Sequence, residues 1–116
     1  MITGSVNELN ALALHLSEFL AEQGQRTFFP ADISGSAEPY RVLLRGIEIE
    51  KGSGPVLVSL EGRTLRITGS TSNLQLWCSF FKFPADATEG DHHHPENVDR
   101  PRYIDPRTLS VIIEIR

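Results

Sequence analysis

Apolar residues at Val6, Leu9, Ala13, Leu16 and Leu20 return every three or four positions, the spacing that lines one face of an α-helix. Ser5 stands just ahead of this run and Glu8 three residues later. The pair forms a capping box, in which two side chains satisfy backbone N–H groups left open at a helix start. Gly24 offers a C-terminal stop. Glu8, His15, Glu18 and Glu22 share the opposite face, so His15 reads as a solvated helix residue rather than a catalytic base. The following "RTFFPADISGSAEP" is dense in turn formers and is expected to be a loop, with Phe28 and Phe29 tucked against the core.

The period then changes from helical to two. "YRVLLRGIEIEKG" and "GPVLVSLEG" alternate polar and apolar residues, and the glycines between Lys51 and Pro55 suit a turn, so an antiparallel hairpin is expected there. "RTLRITG", with Leu65 and Ile67 on one side and Arg63, Arg66 and Thr68 polar, continues the alternation as a third strand of a meander. The closing "TLSVIIEI" is apolar enough for a central strand, and Pro106 just ahead of it fits a strand entrance.

Between them, "STSNLQLWCSFFKFP" has the aromatic content of a strand and the spacing of a helix. A repeat decides the matter. "ITGSVNEL" at Ile2 and "ITGSTSNL" at Ile67 agree at five of eight positions, which gives Gly69 and Ser70 the turn and cap roles of Gly4 and Ser5. A helix then places Leu74, Trp77, Cys78 and Phe81 toward the core. Leu76, Phe80 and Phe83 fall on the reverse side, as a second apolar stripe that must lie under the following loop or against another chain, for instance in a homodimer. Both repeats run from an ITGS strand end through a helix and a variable loop to a strand ending in "IEI". The expected class is α+β, a mainly antiparallel sheet of about five strands with two helices. It forms one domain over residues 1–116, read as a degenerate duplication of halves 1–50 and 54–116.

A formal net charge of -4 gives no general attraction to nucleic acid or anionic membrane, and points instead to basic partners. Cys78 is the only cysteine, so the fold does not depend on an oxidising compartment, and a cytoplasmic location is expected. The first twenty residues carry no leading Lys or Arg and are interrupted by Glu8, His15 and Glu18, so no signal peptide is expected. Serine-elbow, phosphate-loop and dinucleotide fingerprints are missing, so no enzyme activity and no cofactor are expected.

The conspicuous chemistry lies in "EGDHHHPENVD". In extended backbone His92 and His94 face one side with Asp91 and Glu96 nearby, a donor set that can bind a divalent metal, although the spacing matches no established metal motif. From Pro84 to Asp99 there are five acids, Asp86, Glu89, Asp91, Glu96 and Asp99, and no Lys or Arg. Such a loop is either a solvated surface or a means of steering a basic protein. An apolar anchor is also needed for affinity, and Tyr103, Trp77 and Phe80 are the aromatic candidates, with core burial the stronger expectation for Trp77.

Taken together, Leu65, Ile67, Gly69, Ser70, Leu74, His92, His94, Pro106, Leu109, Ile112, Ile113 and Glu114 resemble the pattern of the bacterial polymorphic-toxin immunity proteins called immunity protein thirty-two. The likeness covers the chain from Gly54 onward, and Trp77 and Cys78 stand where that family has small residues. It implies a small, non-catalytic protein that binds and neutralises a cognate toxin, often a nuclease. The residues expected at the partner surface are Asp86, Glu89, Asp91, His92, His94, Glu96, Asp99 and Tyr103. Two other readings stand beside it: a metal-binding protein or metal-dependent enzyme using His92 and His94, and a homo-oligomeric module joined through Leu76, Phe80 and Phe83.

Overall fold

A computed structural model describes residues 2–30, 45–96 and 103–116. The expectations for 31–44, and Asp99 at the partner surface, lie outside the described residues. Among the described residues seven strands and two helices follow in the order β1 (Ile2–Gly4), α1 (Val6–Ala21), β2 (Arg26–Pro30), β3 (Gly46–Lys51), β4 (Leu57–Glu61), β5 (Thr64–Gly69), α2 (Thr71–Cys78), β6 (His92–His93) and β7 (Ile113–Ile115). A 3-10 turn, Ser79–Phe81, extends α2. The α+β class and the two helices match expectation. The strands form two mixed sheets, ordered β1-β7-β6 and β2-β3-β5-β4.

Both ITGS segments turn from strand into helix as their sequence requires. Ser5 Oγ accepts the Glu8 N–H at 3.1 Å while Glu8 Oε1 accepts the Ser5 N–H at 3.0 Å, completing the capping box. Ser70 Oγ accepts the Asn73 N–H at 3.3 Å. A Cβ at Gly69 would come within 3.2 Å of Pro55 O and Val56 Cα, so the residue is glycine because the neighbouring backbone passes so close. Helix α1 ends at Ala21, where Glu22 takes extended backbone, three residues before Gly24.

Two expectations about the four-stranded sheet are corrected. Arg26–Pro30 is not loop but an edge strand, pairing antiparallel with β3 from Arg26↔Glu50 to Pro30↔Gly46. Its turn-rich continuation masked a two-residue alternation in which Thr27 and Phe29 are partly buried and Arg26 and Phe28 are exposed. Nor do β3 and β4 form a hairpin, because β5 lies between them, parallel to β3 and antiparallel to β4. Charge pairing accompanies the insertion on the outer face, where Arg66 of β5 reaches Glu50 of β3 at 2.6 Å and Glu61 of β4 at 3.5 Å. Arg26 extends the ladder to Glu48 and Glu50, at 3.2 and 3.1 Å. On the inner face Ile47 and Ile49 stand opposite Leu65 and Ile67, and Val58 opposite Ile67.

The closing strand is shorter than expected, Ile113–Ile115 rather than the whole of "TLSVIIEI", although it is central in its sheet. The stretch ahead of it instead seals the edge of β4: Leu109 N–H donates to Val58 O at 3.0 Å, and Val56 N–H to Tyr103 O at 2.8 Å. Asp105 helps to hold this strap, and the side-chain hydrogen bond from Arg107, joined by a backbone one, lowers its carboxyl from 3.8 to about 2.

The two ITGS strands each pair with a strand from outside their own half of the chain. β1 pairs parallel with β7, from the other half of the chain, and β5 pairs parallel with β3. Gly4 faces Ile115, whereas Gly69 faces Lys51, two residues past the matching Ile49, an even offset that keeps the same side chains inward. Neither parallel pair can form within one half. A single cluster of buried residues, from Leu9 and Leu16 of α1 through Ile49, Ile67 and Trp77 to Ile113, joins both helices to both sheets. No helix among the described residues is long and apolar enough to cross a membrane.

Candidate functional site

The loop from Pro84 to Glu96 leaves the end of the 3-10 turn and returns to the three-stranded sheet, and both ends are fastened. At the start, Asn10 of α1 clamps Phe83: its Oδ1 accepts the Phe83 N–H at 2.8 Å and its Nδ2 donates to Phe83 O at 3.0 Å. At the far end, Ile115 N–H donates to Asp91 O at 2.8 Å, and β6 pairs antiparallel with β7. His93 closes the arrangement. Its ring stacks on Phe83 with centroids 4.2 Å apart, meets Phe80 edge-on at 5.7 Å, and its Nδ1 lies 2.7 Å from Phe80 O. Since a carbonyl oxygen only accepts, Nδ1 carries the proton.

The second apolar stripe is therefore covered by this chain's own loop. Phe83 is buried and Phe80 half-buried under His93, so the expected homodimer surface of Leu76, Phe80 and Phe83 is largely occupied from within. Replacing Asn10 by alanine leaves both Phe83 backbone groups without partners in a partly buried setting. We expect a loss of about 2 kcal/mol in a urea melt, with faster amide exchange from Phe83 through Asp91.

The expected partner residues divide into two groups. Asp86, Glu89, Asp91 and His92 are exposed, and His94 is half-buried. None of the three carboxylates makes an ion pair with a described residue, and Asp91 Oδ2 is engaged only by the Thr88 N–H, at 2.9 Å. His92 Nδ1 sits 3.0 Å from Gly90 O. A shallow cleft of about 380 Å³ lies between Phe83, Pro84 and the Gly90–His93 segment.

Tyr103 does not belong to that surface, and Glu96, like His94, is half-buried. Tyr103 is 1% exposed, drawn inward by the bridge between its neighbour Ile104 and Val56, so it is a core residue and not a surface anchor. The Tyr103 hydroxyl and Glu96 Oε2 are both buried without a hydrogen-bond partner among the described residues. Burial pushes the phenol's pKa upward, and nearby Cys78 and Glu96 add to the effect. Trp77 is likewise buried, as the core reading expected.

Burial pushes the Cys78 thiol up to about 12, so it stays protonated and walls the core. The rings of His92 and His94 meet edge-on with centroids 5.1 Å apart, but no group of three or more histidine, cysteine or carboxylate side chains among the described residues is placed to hold a metal ion. Two residues that shape the site escaped the sequence reading. His93 could have been found, since the alternation that aims His92 and His94 outward aims it inward. Asn10 could not, because a polar residue on a helix flank gives no sign of a partner 73 residues away.

Compared with protein-family models, with curated proteins and with solved structures, the chain shows no match.

Proposed function

We propose that this protein is a non-catalytic, stoichiometric inhibitor that binds a basic partner protein through the loop from Pro84 to Asp91, the partner being the toxin that the resemblance of its second half implies. One observation supports this above the rest: three exposed carboxylates, unpaired among the described residues, sit on a loop anchored at both ends. Tethering matters because a loop already held in place gives up little conformational freedom on docking. A cluster of unpaired carboxylates raises the encounter rate with a cationic surface, such as the substrate-binding face of a nuclease.

The test is reversal of charge at Asp86, Glu89 and Asp91 together, leaving out the partly buried Glu96. With the toxin that the resemblance implies as partner, sought among the products of neighbouring genes, association should slow by about tenfold or more at low salt, and the salt dependence of the rate should flatten. Cells carrying the toxin should lose protection. An association rate and a level of protection equal to those of the unaltered protein would exclude this loop as the contact.

A further inference from the structure

Away from the acidic loop, α1 and α2 leave a groove of about 500 Å³ between them, a volume inside the range of roughly 300–1,000 Å³ typical of small-molecule sites. Its apolar lining comes from Ala13, Leu14, Leu20 and Cys78. Leu14 is 58% exposed, the most exposed large hydrophobic residue among those described, so an occupant would remove from water a surface that the fold alone leaves wet. Cys78, protonated, behaves there as an apolar wall.

The polar groups of the groove are unequal. Asn10 is committed to Phe83, and Ser79 Oγ donates to Leu76 O at 2.6 Å. Ser17, Gln75 and Lys82 make no side-chain hydrogen bond or ion pair with a described residue. Lys82 is exposed and is the only charged residue in the lining, which contains no carboxylate. A partly apolar trough with one ammonium and two hydrogen-bonding side chains that have no side-chain partner among the described residues complements a molecule with a hydrocarbon body and a single anionic head.

We propose that the groove between α1 and α2 is a binding site for a medium-chain aliphatic monocarboxylate, whose chain lies along Ala13, Leu14 and Leu20 and whose carboxylate meets Lys82. This inference does not depend on the toxin reading, because it concerns a different surface with the opposite charge preference.

Octanoate is the probe, titrated into the ¹⁵N-labelled protein with octylamine as the charge-reversed control. Octanoate should give saturable shifts at the amides of Ala13, Leu14, Ser17 and Gln75 and raise the melting temperature. Octylamine should bind about fivefold more weakly or worse, the scale expected of one exposed ion pair. Lys82→Gln changes an exposed side chain, so its unliganded melting temperature should match that of the parent, while octanoate affinity falls about fivefold. Filling the trough with Ser17→Phe should abolish the shifts even with Lys82 in place. The proposal is overturned if octanoate and octylamine bind alike, if Lys82→Gln leaves octanoate affinity unchanged, or if the shifts map outside the groove.

Discussion

Truncating Trp77 to alanine should cost about 4 kcal/mol, the largest loss we expect from any single substitution in this chain. Trp77 is 1% exposed, belongs to the cluster that joins both helices to both sheets, and meets the Phe81 ring edge-on with centroids 5.7 Å apart. Removing the indole takes away its transfer free energy and leaves a cavity. The surrounding walls come from several elements at once, so no single one can move in to fill it. In a domain of 116 residues the loss corresponds to a fall in melting temperature of roughly 15 °C. Since Trp77 is the only tryptophan, the melt of the variant has to be followed by circular dichroism. Leu14→Ser, at an exposed position, should stay within about 0.5 kcal/mol of the parent. A loss below about 1 kcal/mol for Trp77→Ala would mean that the ring is not in the core at all.

The second large effect is expected at Gly46, the first residue of β3. A Cβ there would stand 2.4 Å from Phe29 O and 2.5 Å from Phe28 Cζ. The two obstacles differ in kind. Phe28 is half-exposed on the outer face and its ring can swing aside, whereas Phe29 O belongs to the neighbouring strand and can retreat only if the β2–β3 ladder opens. Gly46→Ala should therefore cost about 3 kcal/mol, at the top of the range for overpacking, and should loosen β2 before the rest of the sheet. Combining it with Phe28→Ala separates the contributions. Restoration of less than half the lost stability identifies the backbone as the main obstacle, and full restoration would show that the ring was the whole of it.

Much of this architecture was legible as local grammar. The helix from Val6, its capping box, the second helix after Ser70 and its buried face of Leu74, Trp77, Cys78 and Phe81 all follow from side-chain spacing and cap chemistry within a few residues. These features are governed by contacts between near neighbours, so the sequence states them directly. The acid run of the Pro84–Asp91 stretch was legible for the same reason, because it contains no cation of its own, and no described residue arrives to pair with it.

What tertiary structure alone decided concerns pairings between distant segments. Alternation shows that β3, β4 and β5 are strands but not which lies in the middle, since any order keeps the same faces inward. The folded chain puts β5 in the middle, where Arg66 reaches Glu50 on one side and Glu61 on the other and Leu65 and Ile67 stand opposite Ile47 and Ile49. The same holds for the exchange of strands between the two halves, for Tyr103 going into the core, and for His93 covering Phe83. A side chain's type fixes what it needs to bury or to pair with. Which distant partner meets that need depends on where the whole chain can bring two segments together at once.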